Sequence, residues 1–408
     1  MNGRAATPKP KVLQATLRKL TEALAHELAR PTQAAPEWSD VEWTLARAVA
    51  AMHGVSPLLS RILRWQGPAG WKQFLDEQRA HTAKRHRRIC DLLSILDRRT
   101  RAHGVPAVPL KGVALHALGV YGSGDRPMAD IDLLVRPADA ERAAGVLESL
   151  GLYECYRTWK ERVFTPIDGN APSDLGEHAR NDIKIELHER ICERLPWRIT
   201  DISARIFPAT WQPGLNAYPS NASLAIHLLL HAAGSMAMQG LRLMHLHDLA
   251  QLSSRMTDED WNEVLGLRAH GGLWWAYPPL KLTSRYYPSE IPPRVLAALA
   301  GDCPYLLRRI AGRKSLYDVS YSYPWVDALP GIEWSQSLRE AFGYAANRVW
   351  PSATQVALRS RFADTQAGAK RSEWAHASQS ARILRWMVSR PPRLFTMSAV
   401  QAALAQMP

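Results

Sequence analysis

The sequence predicts an α+β fold, with a strand-bearing core at residues 102–205 between helical regions at 1–101 and 206–408. Three observations predict it. The apolar run Val105 to Leu110 stops at Lys111-Gly112 and passes at once into helix-like Val113 to Leu118, so strand, tight turn and helix follow one another. Asp130-Ile131-Asp132-Leu133-Leu134-Val135 is a buried strand by its apolar tail, with acids at its start. Asp182 to His188 alternates strictly, Ile183, Ile185 and Leu187 on one face and Asp182, Lys184, Glu186 and His188 on the other.

In chain order, Val12 to Arg30, Glu42 to Trp65 and Gly70 to Arg101 have the periodicity of amphipathic helices, with Pro31 and Pro36 breaking the first gap. They form a helical region packed on the core. Within the core, Pro137 opens a helix whose apolar positions run from Ala140 to Leu150 before Gly151 ends it. Leu152 to Trp159 and Arg162 to Pro166 form two strands around a charged turn, and the polar stretch Asp168 to Asn181 is a loop. From about residue 206 the chain is rich in Leu, Ala and Trp with little strand signal. Helices are expected at Ala222 to Leu230, Leu241 to Ser253, Asp258 to Ala269, Arg294 to Leu299, Ser337 to Ala346 and Ser378 to Val388.

The chemistry gathers around the Asp130 strand. Asp130 and Asp132 point to one face, where paired carboxylates repel unless a cation lies between them. Mg²⁺ suits a few carboxylates plus substrate phosphates, and a strand-to-helix turn such as Lys111-Gly112 offers unpaired amides to phosphate. Glu186 is the candidate third acid, with His188 beside it on the open face of its strand.

These residues resemble the polymerase-beta-type nucleotidyltransferases, most closely a bacterial branch described as uncharacterised nucleotidyltransferases. The resemblance is carried by Leu110-Lys111-Gly112, by Arg126 shortly before Asp130-Ile131-Asp132-Leu133-Leu134-Val135, and by Glu186-Leu187-His188. It covers Val105 to Ile191 well and reaches more weakly to His231 and to Arg242 through Asp248. Val113 stands where the wider superfamily has Gly or Ser.

The resemblance implies a polymerase-beta-like core and a nucleoside triphosphate donor, ATP first among them, with Mg²⁺, as two ions, or Mn²⁺ held by Asp130, Asp132 and Glu186. Those three acids are then the catalytic set, and Lys111, Gly112, Arg126, His188, Arg242 and Asp248 line the substrate cleft. The acceptor is a small molecule, a peptide or protein, or RNA. Two other readings stand beside this one: a catalytically idle nucleotide- or partner-binding module, and a basic nucleic-acid-binding protein.

The net charge of +13 is spread over clusters at Lys84 to Arg88, Arg98 to Arg101 and Arg359 to Arg393; these are either solvated helix faces or contacts to a polyanion. His227 and His231, one helical turn apart, could ligate zinc with His245, His247 or Asp248, or stand as core or cleft histidines. Cys90, Cys155, Cys192 and Cys303 lie far apart, which suggests no zinc ribbon or disulfide framework and fits a cytoplasmic location. The nearest approach to a membrane span, Ala222 to Leu241, is interrupted by His227, His231, Gly234 and Gln239.

Overall fold

The computed structural model describes residues 8–167, 175–270, 272–353, 355–357 and 377–407. Its centre is a mixed six-stranded sheet built from β1 (Pro106–Pro109), β2 (Asp130–Val135), β3 (Leu152–Arg157), β4 (Glu161–Pro166), β5 (Lys184–His188) and β8 (Gly214–Leu215). Their spatial order is β3-β4-β5-β2-β1-β8. The α+β expectation holds, and the Asp130 strand has the predicted bounds. β2 and β5 run parallel with Asp132 opposite Glu186 and Leu134 opposite His188. β4 runs antiparallel to β5 and sets Glu161 opposite His188.

The sheet separates two cores because alternate residues of β2 face opposite ways. Ile131, Leu133 and Val135 join Ile185, Leu187 and Phe164 in a core closed by Ile89 and Leu96 of α4 (Ala69–Ala102) and by Ala140, Ala143, Ala144 and Leu147 of α6 (Ala140–Glu148). On the other face, Val108, Leu110, Leu115 and Leu134 join a larger core. That core takes in α1 (Pro10–Ala29), α2 (Asp40–Met52) and α3 (Ser56–Ile62) from the N-terminal side. From the C-terminal side it takes α8 (Asn221–Ala237), α9 (Leu243–Ser253) and α11 (Tyr277–Tyr286). The two flanking helical regions therefore share one interior, and the last helix, Leu394–Leu404, adds Val400 and Leu404 to it.

Several elements differ from expectation for local reasons. The helix expected from Glu42 to Trp65 is two helices, because Gly54 turns the chain at φ 69° between α2 and α3. After β5 comes an unpredicted hairpin, β6 (Cys192–Leu195) paired with β7 (Arg198–Asp201). β8 lies beyond residue 206 in a stretch read as helical, and it enters the sheet parallel to β1. The expected loop from Asp168 falls partly outside the described residues, as do Arg359, Arg361, Lys370 and Arg371 of the last basic cluster. No helix among the described residues is long and apolar enough to cross a membrane.

Candidate active site

The open face of β2 and β5 brings Asp132, Glu186 and His188 together, with ligand-capable atoms all within 4.8 Å of one another. The parallel register is the cause, since it seats Glu186 directly across from Asp132 and places His188 one same-face position further on. His188 Nε2 lies 3.0 Å from Asp132 Oδ1 and 3.7 Å from Glu186 Oε2. Its Nδ1 is 4.0 Å from Glu161 Oε2 on β4, a fourth acid that the sequence reading did not single out. Asp130 stands at the start of β2, on the same face, outside this tight group.

Lys111 supplies the one counter-charge in direct contact with Asp132 that is permanently cationic. Its Nζ donates to Asp132 Oδ1 at 2.7 Å and is mostly shielded from solvent. The residue opens α5 (Lys111–Ala117) with φ 48°, a left-handed backbone that side-chain-bearing residues seldom adopt. Such strain persists where the surroundings over-determine it, and it concentrates at functional sites. Lys111 N–H also faces the Tyr218 hydroxyl at 3.4 Å, and that hydroxyl is 2.7 Å from His227 Nδ1.

The charges are mutually strained. Burial, then the adjoining Asp132, pushes the Asp130 carboxyl up from its ordinary value. Burial pushes Glu186 well above its ordinary value, and Asp130, Asp132 and Glu161 add to this. For Asp132 burial acts in the same direction but is overcome by Lys111 and His188, which hold it well below the usual range. Burial likewise works against the Lys111 ammonium, yet Asp132, Glu186 and Asp130 together keep it firmly protonated. Three carboxylates around one lysine are the arrangement that a divalent cation relieves. The oxygen donors Asp132 and Glu186 fit Mg²⁺; the His188 imidazole is a softer ligand and already serves Asp132 as a hydrogen-bond partner.

Arg126 and Asp248 form a separate cluster. Arg126 donates Nε to Asp248 Oδ1 at 2.9 Å and Nη2 to Oδ2 at 2.7 Å, and the Tyr121 hydroxyl donates to Oδ1 at 2.8 Å. The partner of Arg126 is thus Asp248 on α9. Gly112 is explained by the same cluster: a Cβ there would lie 2.2 Å from Arg126 Nη1 and 3.1 Å from Met128 Cγ. The glycine leaves room for the guanidinium against the start of α5. Arg242 caps α9 at its N-terminal end, with its guanidinium 5.5 Å from the Tyr321 ring, and its charge reaches Asp130 and Glu177.

One residue essential to the geometry was not legible. Arg85 lies in the basic run read as a solvated face or a polyanion contact, yet it is only 2% exposed. It donates to the carbonyls of Met128 (2.8 Å), Ala129 (2.7 Å), Asp182 (2.7 Å) and Asn181. These are the residues leading into β2 and β5, so Arg85 ties the two acid-bearing strands together where they begin. The signal for it is its place in the buried series Trp71, Leu75, Gln78, Thr82, Arg85 and Ile89, spaced three or four residues apart along α4.

The histidines read as possible zinc ligands do not assemble into a three-ligand group among the described residues. His227 meets Tyr218, His231 packs edge-on against His245 at 4.8 Å, and His247 Nδ1 meets the Tyr287 hydroxyl at 3.0 Å. Burial pushes His227, His231 and His245 well below the ordinary histidine value. They are neutral cleft and core residues.

In comparisons with known proteins, the family described as "Uncharacterised nucleotidyltransferase" matches residues 39–277, which span the sheet, α4 and both clusters above. No curated protein and no solved structure matches the chain.

Proposed function

The chain belongs to the uncharacterised nucleotidyltransferase family, and from that premise we propose that it moves a nucleoside monophosphate from a nucleoside triphosphate, ATP first among them, to a hydroxyl or phosphate of an acceptor. The observation that carries this reading is the convergence of Asp132, Glu186 and His188 within 4.8 Å on adjacent parallel strands, with Asp130 alongside. Asp130, Asp132 and Glu186 would hold Mg²⁺, and Mg²⁺ bound there supplies charge neutralisation for the phosphate oxygens. Lys111 directs its ammonium into the same cluster and is suited to a phosphate once Asp132 has another cation.

In this reading the acceptor oxygen attacks the α-phosphorus in line, the new O–P bond forms as the bond to the β-phosphate oxygen breaks, and pyrophosphate leaves. The proton of an acceptor hydroxyl passes to the Glu186 carboxylate, which lies across from Asp132 on the open face of the sheet. His188 keeps Asp132 in place from one side while Lys111 does so from the other. Positioning and electrostatics supply most of the rate.

The test is incubation with each radiolabelled triphosphate and Mg²⁺ against small-molecule, peptide and RNA acceptors. Wild type is expected to transfer label, and an Asp130→Ala, Asp132→Ala double variant to lose it by on the order of 10³-fold or more. Transfer that survives the double change would place the chemistry elsewhere.

A further inference from the structure

Resting on the reading above, we infer that the acceptor enters through the groove between the β3–β4 turn and the end of β5 and that it is the end of a single-stranded polynucleotide. Along the sheet, Lys111 follows β1 on one side of the acids, and β4 with the β3–β4 turn lies on the other. An in-line displacement needs its entering and leaving oxygens on opposite sides of the phosphorus. With the triphosphate tail drawn towards Lys111, the acceptor arrives over β4 and β5.

An open groove of about 250 Å³ lies there, lined by Arg157, Trp159, Lys160, Glu161, Glu189 and Arg190 among others. It adjoins the acids, because Glu161 is shared with the site through His188 and because Lys160 Nζ sits 3.7 Å from Glu161. Its cations are available. Arg157 and Arg190 are each more than half exposed and held by surface pairs, Arg157 to Glu154 at 2.9 Å and Glu141 at 4.0 Å, Arg190 to Asp201 at 3.2 Å. Such exposed pairs contribute little and exchange readily for phosphate.

The aromatic component decides the ligand class. Trp159 is 45% exposed, and the Arg194 guanidinium lies 5.1 Å from its ring centre. Arg194 Nε is itself buried without a hydrogen-bond partner. An acidic peptide would engage the arginines and leave the indole unused, whereas a nucleotide strand uses both, stacking a base on the ring and setting phosphates on the cations. A second exposed indole, Trp197 (46%), caps the neighbouring β6–β7 hairpin.

The test is binding of a fluorescein-labelled, unstructured oligoribonucleotide of about ten residues to the full chain, read by anisotropy across a salt series. The expected results are salt-dependent binding, a loss on the order of tenfold in Trp159→Ala with recovery in Trp159→Phe, and a salt slope shallower by about one in Arg190→Ala. Because binding is read with no triphosphate present, it is independent of transfer, and failure of the nucleotidyl-transfer reading would leave this result standing. Absent binding, binding indifferent to Trp159→Ala, or equal displacement by poly-glutamate would overturn the assignment; the last would mark the groove as a surface for acidic protein.

Discussion

Arg126, Asp248 and Tyr121 make a buried cluster in which each donor and acceptor is answered, whereas Asp130, Asp132 and Glu186 crowd like charges around a single lysine. Both depend on α5 and its flanking loop, since Gly112 admits Arg126 to the first cluster and Lys111 sends its ammonium into the second. In the first, two parallel guanidinium hydrogen bonds and a phenol offset the desolvation of a carboxylate that is 1% exposed. In the second, burial raises two of the three carboxyls, a cost the fold bears because other elements over-determine the geometry. A buried ion cluster that satisfies itself holds helices in place; one left in charge excess is available for a ligand.

The sharpest test of that contrast compares single neutralisations by chemical denaturation. Asp248→Ala leaves Arg126 buried and the Tyr121 hydroxyl unpaired, and it is expected to cost about 3–5 kcal/mol of stability. Glu186→Gln relieves repulsion and is expected to leave the midpoint unchanged or raised, even though it removes a proposed catalytic acid. Equal destabilisation by the two would erase the distinction.

A smaller effect is expected at the junction. Gly112→Ala drives a methyl group into Arg126 Nη1 at 2.2 Å, and this guanidinium cannot swing away without releasing Asp248. The expected loss is about 1–3 kcal/mol, read as a lowered thermal midpoint that an added Arg126→Lys change does not restore. A midpoint equal to wild type would show that Arg126 is not pinned.

At mildly acidic pH the smallest effect concerns how α9, which carries Asp248, is attached. His53 Nδ1 accepts the Leu243 amide hydrogen at 2.9 Å at the start of α9, and its Nε2 meets the Ser322 hydroxyl at 2.8 Å. Burial, with Arg242 adding to it, lowers the His53 pKa from 6.5 to about 3. The unfolded chain therefore takes up a proton below pH 6.5 that the native state refuses. This stability is complete above 6.5 and is lost as pH falls towards 3, by about 1 kcal/mol at the first unit. An NMR titration of the His53 ring should show it neutral down to about pH 3; protonation near pH 6 would contradict the packing of α9.

Much of the architecture could be read because period and punctuation agree there. Asp130 to Val135 alternates between acids and a core face, and Pro137 with Gly151 bounds the following helical segment. The β6–β7 hairpin escaped because Glu193, Arg194, Arg198 and Thr200 give it no apolar face to alternate. β8 is two residues long, too short to carry any period. Arg85 escaped because a charged residue between Lys84 and His86 has the composition of surface, and its burial depends on carbonyls from two distant segments.

By itself the sequence determined which face of each strand the candidate residues occupy, because alternation is a local property of the backbone. Tertiary structure alone decided the partners. The parallel register put Glu186 across from Asp132, and the docking of α9 gave Arg126 to Asp248, 122 residues away. Arg85 became a clamp only once β2 and β5 lay side by side. Those outcomes follow from charge and hydrogen-bond satisfaction in a closed interior, where most buried polar groups find a partner and its distance along the chain no longer counts.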